Sequence, residues 1–241
     1  MISVRTKLYF SMENLILQQF FVFTFPERHD KMCSYLYFSF LRGQTMDSNF
    51  FALISRMRYI ARWCLMRNAL PENIQEHSHM VAVLAHALGV IRRDIFHQPC
   101  DVNALATAAL YHDASEILTG DLPTPIKYHN AEIMSAYHAV EDLAVQKLLG
   151  MLPPELRETY ADVLAEDKDG DIYPLVKAAD KLSAYIKCIE ERKAGNNEFL
   201  SAEAQTRAAL EASPLPEVQY FLEHFIPAFE RDLDELGAIG Q

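Results

Sequence analysis

Glycine is scarce in this chain, at eight of 241 residues. Ala, Leu, Glu and Lys are instead abundant in long periodic segments, so strands have little room and an all-α fold is expected. Cysteine is sparse too. Cys33, Cys64, Cys100 and Cys188 lie far apart, with no C-x-x-C pair to suggest zinc or redox chemistry and no small secreted framework to staple. Reduced thiols and a cytoplasmic location are the expectation. Basic residues are outnumbered, 22 Lys and Arg against 33 Asp and Glu, for a net charge of -11. That balance opposes a nucleic-acid partner, whose backbone calls for cations to displace counterions, but it leaves room for a small phosphate ester.

A long apolar run is also missing. The nearest approach, LILQQFFVFTF at 15–25, is eleven residues broken by Gln18 and Gln19, whereas a hydrocarbon core needs about 20. No small-x-small cleavage site follows it, which also argues against a signal peptide. No membrane partner is therefore expected. Residues 1–45 hold seven of the fourteen Phe and read as an N-terminal extension, with Met46 a plausible alternative start and 46–241 as one domain. The acidic stretch 166–171 does not read as a calcium loop, because Asp167-x-Asp169-Gly170 puts glycine fourth and not sixth.

What is present is helical punctuation. A first helix runs from Asn49 to about Ile60 and exits at Arg62-Trp63. Asn73 is a candidate N-cap for a second, whose stripe is Met80, Val81, Leu84, Leu88 and Ile91. Further helices are expected over 103–118, 131–149, a short one from Pro153-Pro154, 173–194 closed by Gly195-Asn196, 198–212 and 217–236, with an ordered loop at 121–125.

Inside the third of these sits Tyr111-His112-Asp113-Ala114-Ser115-Glu116. An imidazole, a carboxylate and a second carboxylate one turn on can hold a divalent cation and keep an acid or base beside it. The dipeptide alone is weak, since roughly one His-Asp pair is expected by chance, and His29-Asp30 supplies a decoy in a loop. On a helix, His112, Asp113 and Glu116 would share one side. Further ligands must come from other helices, and His77 and Asp180 both interrupt apolar faces. His79 and His86 compete with His77. Taken singly, ordinary readings win: Asp180 with Lys181 as a surface ion pair, His77 as a satisfied histidine, Trp63 as a core aromatic and Asp121 as a chain turner.

Taken together, His77, His112-Asp113 and Asp180 resemble the H…HD…D signature of the HD-domain metal phosphohydrolases. The likeness extends to the YfbR-type bacterial 5'-deoxynucleotidases through Arg62-Trp63, Leu65-Met66-Arg67-Asn68, Glu72-Asn73, Glu76-His77-Ser78, the Tyr111 to Glu116 motif, Leu118-Thr119-Gly120-Asp121-Leu122-Pro123-Thr124-Pro125 and Gly195-Asn196-Asn197-Glu198-Phe199. It covers about four fifths of the chain, and residues 1–45 have no counterpart in it. The resemblance implies an HD-domain helical bundle, a homodimer, and hydrolysis of 2'-deoxyribonucleoside 5'-monophosphates to deoxynucleoside and phosphate.

Residue by residue, it implies that His77, His112, Asp113 and Asp180 hold one divalent metal, Co²⁺ favoured, with Mn²⁺, Fe²⁺, Zn²⁺ or Cu²⁺ as alternatives. It gives Arg62 the phosphate, places Trp63, Asp121, Leu122, Pro123 and Thr124 against the nucleotide together with Asp113 and Asp180, and makes Glu116 the catalytic acidic residue. A pocket closed around C2', with Trp63 as its wall, would reject a ribose hydroxyl by clash and by leaving it unpaired. Rival substrates are a triphosphate, (p)ppGpp or a cyclic nucleotide, but longer phosphate chains want more cations than Arg62, Arg67 and Lys127. A non-catalytic nucleotide sensor is the rival of a different class.

Overall fold

The computed structural model describes residues 48–127, 129–165 and 170–237. The expected extension over 1–45, the His29-Asp30 pair, Met46 and most of the acidic stretch at 166–171 lie outside them. Among the described residues there is no strand, only an isolated antiparallel bridge between Ala61 and Asn73.

Chain order begins with α1 (Phe50–Ile54), which tightens into a 3-10 turn at Ser55–Tyr59. Helix α2 (Ile74–Val90) starts where expected, because the Asn73 side chain accepts from the amides of Gln75 and Glu76. It runs into a π-helical turn at Ile91–Ile95. Helix α3 (Val102–Tyr111) is capped by Asp101, which accepts from the Asn103 and Ala104 amides. Short α4 (Glu116–Thr119) and α5 (Thr124–Lys127) lead to the long α6 (Ala131–Gly150) and to α7 (Pro154–Leu164). Helix α8 (Tyr173–Lys193) is closed by a turn at Gly195, whose φ of +83° glycine adopts without strain, and the Asn196 amide returns to the Glu191 carbonyl. A 3-10 turn at Asn197–Phe199, α9 (Leu200–Glu211), α10 (Pro216–His224) and α11 (Ile226–Phe229) complete the order.

Three expectations need correcting. The single helix over 103–118 breaks after Tyr111, and Ala114, Glu116 and Ile117 bond three residues back, to Tyr111, Asp113 and Ala114. The cause is chemical: His112 Nδ1 takes the Ala109 carbonyl at 2.7 Å, the acceptor that the Asp113 amide would claim in a continuing helix. The loop at 121–125 becomes helical from Thr124, with Pro125 at an early position that needs no amide. The last helix divides at Phe225, because Pro227 has no N–H to continue the ladder.

Helix α2 is the spine. It packs on α3 and α8, and the main core joins Val81, Leu84, Ala85 and Leu88 to Leu105, Ala109, Leu175, Ala179, Leu182 and Ile189. Gly89 lets α2 and α3 approach: a Cβ there would stand 2.9 Å from Leu105 Cδ2. A second core of Phe50, Ala114, Leu148, Leu149, Leu152 and Leu164 ties α1, α6 and α7 together. Ala114 belongs to that second core and is fully buried, so the turn carrying His112 and Asp113 is anchored from below. No helix among the described residues is long and apolar enough to cross a membrane.

Candidate metal centre and active site

The core arrangement carries three polar side chains to one point. His77 on α2 is fully buried, and His112 and Asp180 come from the turn after α3 and from α8. One ligand atom from each lies within 4.8 Å of the other two. His77 Nε2 stands 3.1 Å from Asp180 Oδ1, and the two imidazole rings are 5.3 Å apart by centroid. Asp113 Oδ2 adjoins both rings, 3.6 Å from His77 Nε2 and 3.2 Å from His112 Nε2.

The tautomer of His112 follows from its partner. A carbonyl only accepts, so Nδ1 carries the proton that bonds Ala109, and in the neutral ring Nε2 presents a lone pair. That Nε2 is buried and faces the Asp113 carboxylate at 3.2 Å, the one side chain it is paired with. His77 is oriented by a hydroxyl instead, Nδ1 lying 3.2 Å from Ser183 Oγ while Nε2 turns to the carboxylates. Outer contacts of this kind fix ring orientation in metal sites. Two imidazole nitrogens and two carboxylates converging fit a divalent cation of the borderline class.

The charges respond as such a cluster should. Burial pushes the Asp113 carboxyl upward, but the adjacent His112 imidazole outweighs it and holds the group far below the ordinary carboxylate range. Burial likewise opposes ionisation of Asp180, and its hydrogen bond with His77 prevails in the same direction. His112 is raised: burial works against the charged ring, and Asp113 more than offsets it. Burial also works against the Arg62 guanidinium, and Asp113, Asp180, Glu72 and Asp121 together hold it firmly charged.

Glu116, first residue of α4, behaves in the opposite way. Its side chain is buried, Oε2 has no partner, and burial reinforced by the charge of Asp113 pushes its pKa up to about 10. The expectation that it shares a helix face with His112 and Asp113 is replaced by a tight turn, which still delivers all three to one side.

Arg62 reaches the cluster through Nη1, 3.4 Å from Asp113 Oδ2, while its Nε is 3.1 Å from Glu72 Oε2. Trp63 donates from Nε1 to the same Glu72 oxygen at 3.0 Å, and its ring lies 5.3 Å from that of Phe199. Its φ is +57°, a left-handed backbone that costs a bulky residue about 1–3 kcal/mol and persists only where the surroundings hold it. The Trp63 carbonyl accepts from Asn68 Nδ2 at 3.3 Å, and its amide faces the Asp121 carboxylate. Burial pushes Asp121 up, with Arg62 and the Trp63 amide pulling against it. Leu122 and Pro123 follow, half-buried, and the Pro123 carbonyl caps α5 through the amides of Ile126 and Lys127. The Thr124 side chain lies outside the described residues.

Several expected neighbours stand elsewhere. His79 and His86 are exposed on the outer side of α2. Arg67 turns outward to Glu198 at 2.8 Å with 93% of its side chain open, so it is no phosphate-chain cation. Lys127 stays close enough to act on the charge of Glu116, but it is engaged with Glu141 at 2.9 Å and lies 4.5 Å from the centre of the Tyr137 ring. Two residues of the site went unassigned in the sequence, Glu72 and Ser183. Ser183 was findable as the third residue after Asp180 on one helix face; Glu72 offered only its place before the N-cap.

Over residues 49–229 the chain matches the family described as 5'-deoxynucleotidase YfbR-like. The chain belongs to the YfbR-like family. The 5'-deoxynucleotidase YfbR of Shigella boydii is 50% identical over 192 residues, 79% of this chain and 96% of that protein. Its counterpart from an Escherichia coli strain gives the same identity and coverage. Among solved structures, an HD-domain phosphohydrolase from Listeria innocua is 25% identical with a TM-score of 0.68, over 77% of this chain and 90% of that one. A Pyrococcus horikoshii protein at 21% identity and a TM-score of 0.58, over 76% and 98%, shares the fold. The YfbR-like chain is therefore an all-α HD-domain hydrolase, as the H…HD…D signature implied.

Proposed function

We propose that the protein is a metal-dependent 5'-deoxynucleotidase that hydrolyses 2'-deoxyribonucleoside 5'-monophosphates to deoxynucleoside and phosphate. The observation that carries the reading is the convergence of His77, His112 and Asp180 within 4.8 Å, with the buried, unpaired Glu116 Oε2 and a charged Arg62 beside them. A buried polar atom without a partner calls for an explanation, and a reacting group beside Glu116 supplies one.

His77, His112, Asp113 and Asp180 would hold one divalent cation, and Co²⁺ is the first to try. Such an ion would supply Lewis acidity for the phosphoryl group and a more acidic water. The chain's own residues do the rest. Arg62, fixed along its Nε edge, offers its Nη groups to a phosphate oxygen beside Asp113. Glu116 Oε2, shielded from solvent, holds or moves a proton at the reacting centre. Trp63 with Asp121, Leu122, Pro123 and Thr124 encloses the sugar, and a wall packed against C2' disfavours ribose. The 50% identity with enzymes named 5'-deoxynucleotidase YfbR supports the choice of substrate. A homodimer in the cytoplasm is the state we assign by the same kinship.

Phosphate release from a panel of dNMP, NMP and dNTP tests the reading. Preference for dNMP is expected, and preferential cleavage of the triphosphate would refute it.

A further inference from the structure

We infer that Glu72 is a positioning residue that couples phosphate recognition to rejection of ribose, by holding Arg62 and Trp63 on a single carboxylate oxygen. The inference deepens the phosphatase reading above and rests on it.

Adjacent side chains on an extended backbone point to opposite faces. Arg62 and Trp63 do not, because the left-handed φ of Trp63 turns the chain so that both donate to Glu72 Oε2, from Nε at 3.1 Å and from Nε1 at 3.0 Å. The three side chains are mostly buried, with 12% of Arg62 and 15% of Glu72 exposed. Glu72 is itself fixed. Its carbonyl accepts the Arg62 amide at 3.0 Å, its neighbour Asn73 bridges Ala61, and Asn73 caps the helix that carries His77.

The guanidinium fork explains the consequence. With Nε occupied by Glu72, the Nη edge is aimed at Asp113, where Nη1 stands 3.4 Å from Oδ2. The same oxygen sets the indole, so the phosphate clamp and the sugar wall share one anchor. A substrate whose C2' hydroxyl displaces Trp63 therefore also disturbs Glu72 and, through it, Arg62. Discrimination against ribose reaches the phosphate by this route. Glu72 touches neither phosphate nor sugar; it acts through two residues that do.

The test compares wild type, Glu72→Ala, Glu72→Gln and Glu72→Asp in KM and kcat for dAMP and AMP. Trp63 is the chain's single tryptophan, so its emission and acrylamide quenching report the indole directly, without turnover. Glu72→Ala is expected to raise KM for dAMP about tenfold, to change kcat far less, and to lower the dAMP-to-AMP ratio of kcat/KM about tenfold. Its Trp63 quenching should rise. Glu72→Gln keeps an acceptor oxygen at the same reach and should restore most of the ratio and the protection. Glu72→Asp, one methylene short of both donors, should behave as Glu72→Ala and carries the test if the alanine variant does not fold. A folded variant with unchanged ratio and quenching, or equal loss on dAMP and AMP, overturns the inference. A wild type inactive on dAMP overturns the phosphatase reading instead, a result distinct from an active wild type whose variants keep its ratio.

Discussion

Two buried glutamates show how differently one side chain can be used in this fold. Glu191, on the last turns of α8, is fully buried and satisfied: it accepts from the Ala69 amide at 2.8 Å, the Leu70 amide at 3.0 Å, Asn196 Nδ2 at 2.8 Å, and from Lys187. Burial alone would raise its pKa, yet these donors hold it at about 2. Glu116 is buried beside carboxylates, leaves Oε2 unpaired and rises to about 10. A carboxylate surrounded by donors ties down the loop at 66–70; one facing like charge is a local liability that a reaction can use.

The widest separation between the two should come from their alanine variants. Glu116→Ala is expected to lower kcat on dAMP by about 10²- to 10⁴-fold, the typical worth of a positioned acid or base, with equal or higher thermal stability and retained metal binding. A kinetic assay beside a melting curve checks both, and a destabilised but active variant would break the contrast. Glu191→Ala should do the reverse. It strands the Lys187 ammonium in the core and is expected to cost about 3–5 kcal/mol by denaturant titration, while molecules that remain folded keep their kcat.

The pH dependence sharpens the contrast further. Folded Glu191 binds its proton more weakly than the unfolded chain, so its contribution, on the order of 3 kcal/mol from the shift between 4.5 and about 2, is whole above pH 4.5 and drains away as pH falls toward 2. Glu116 has the opposite sign. Its folded form in EDTA-stripped protein holds the proton more tightly, so its contribution is whole below pH 4.5 and is lost as pH rises toward 10. Urea titrations across pH, with Glu116→Ala flattening the alkaline arm and Glu191→Ala the acid arm, check the assignment. Smallest of all, Arg67→Ala removes a pair with Glu198 that lies in solvent and should shift stability by about 0–1 kcal/mol without changing kcat.

The same contrast shows what could be read from the chain before its structure. The long helices were legible because their ends are written locally, in the Asn73 side chain that caps α2 and in the Gly195 turn that closes α8. The meeting of His77, His112 and Asp180 was legible through the family signature and is what the fold brings together. The break at His112 was not, since it depends on a ring nitrogen outcompeting an amide for the Ala109 carbonyl. Nor was the burial of Glu191, which sits in an Ile-Glu-Glu-Arg run like any solvated charge and finds its backbone partners 121 and 122 residues away. Glu72 escaped for the same reason: its role exists only after Trp63 adopts its turn.

Metal-dependent, deoxyribose-selective hydrolysis is tested by phosphate release from dAMP and AMP by protein stripped with EDTA and reloaded with Co²⁺, Mn²⁺, Fe²⁺, Zn²⁺ or Cu²⁺ in turn. No release is expected from stripped protein, with recovery on at least one of these ions and faster hydrolysis of dAMP than of AMP. Undiminished release from stripped protein, or equal rates on the two nucleotides, would contradict it.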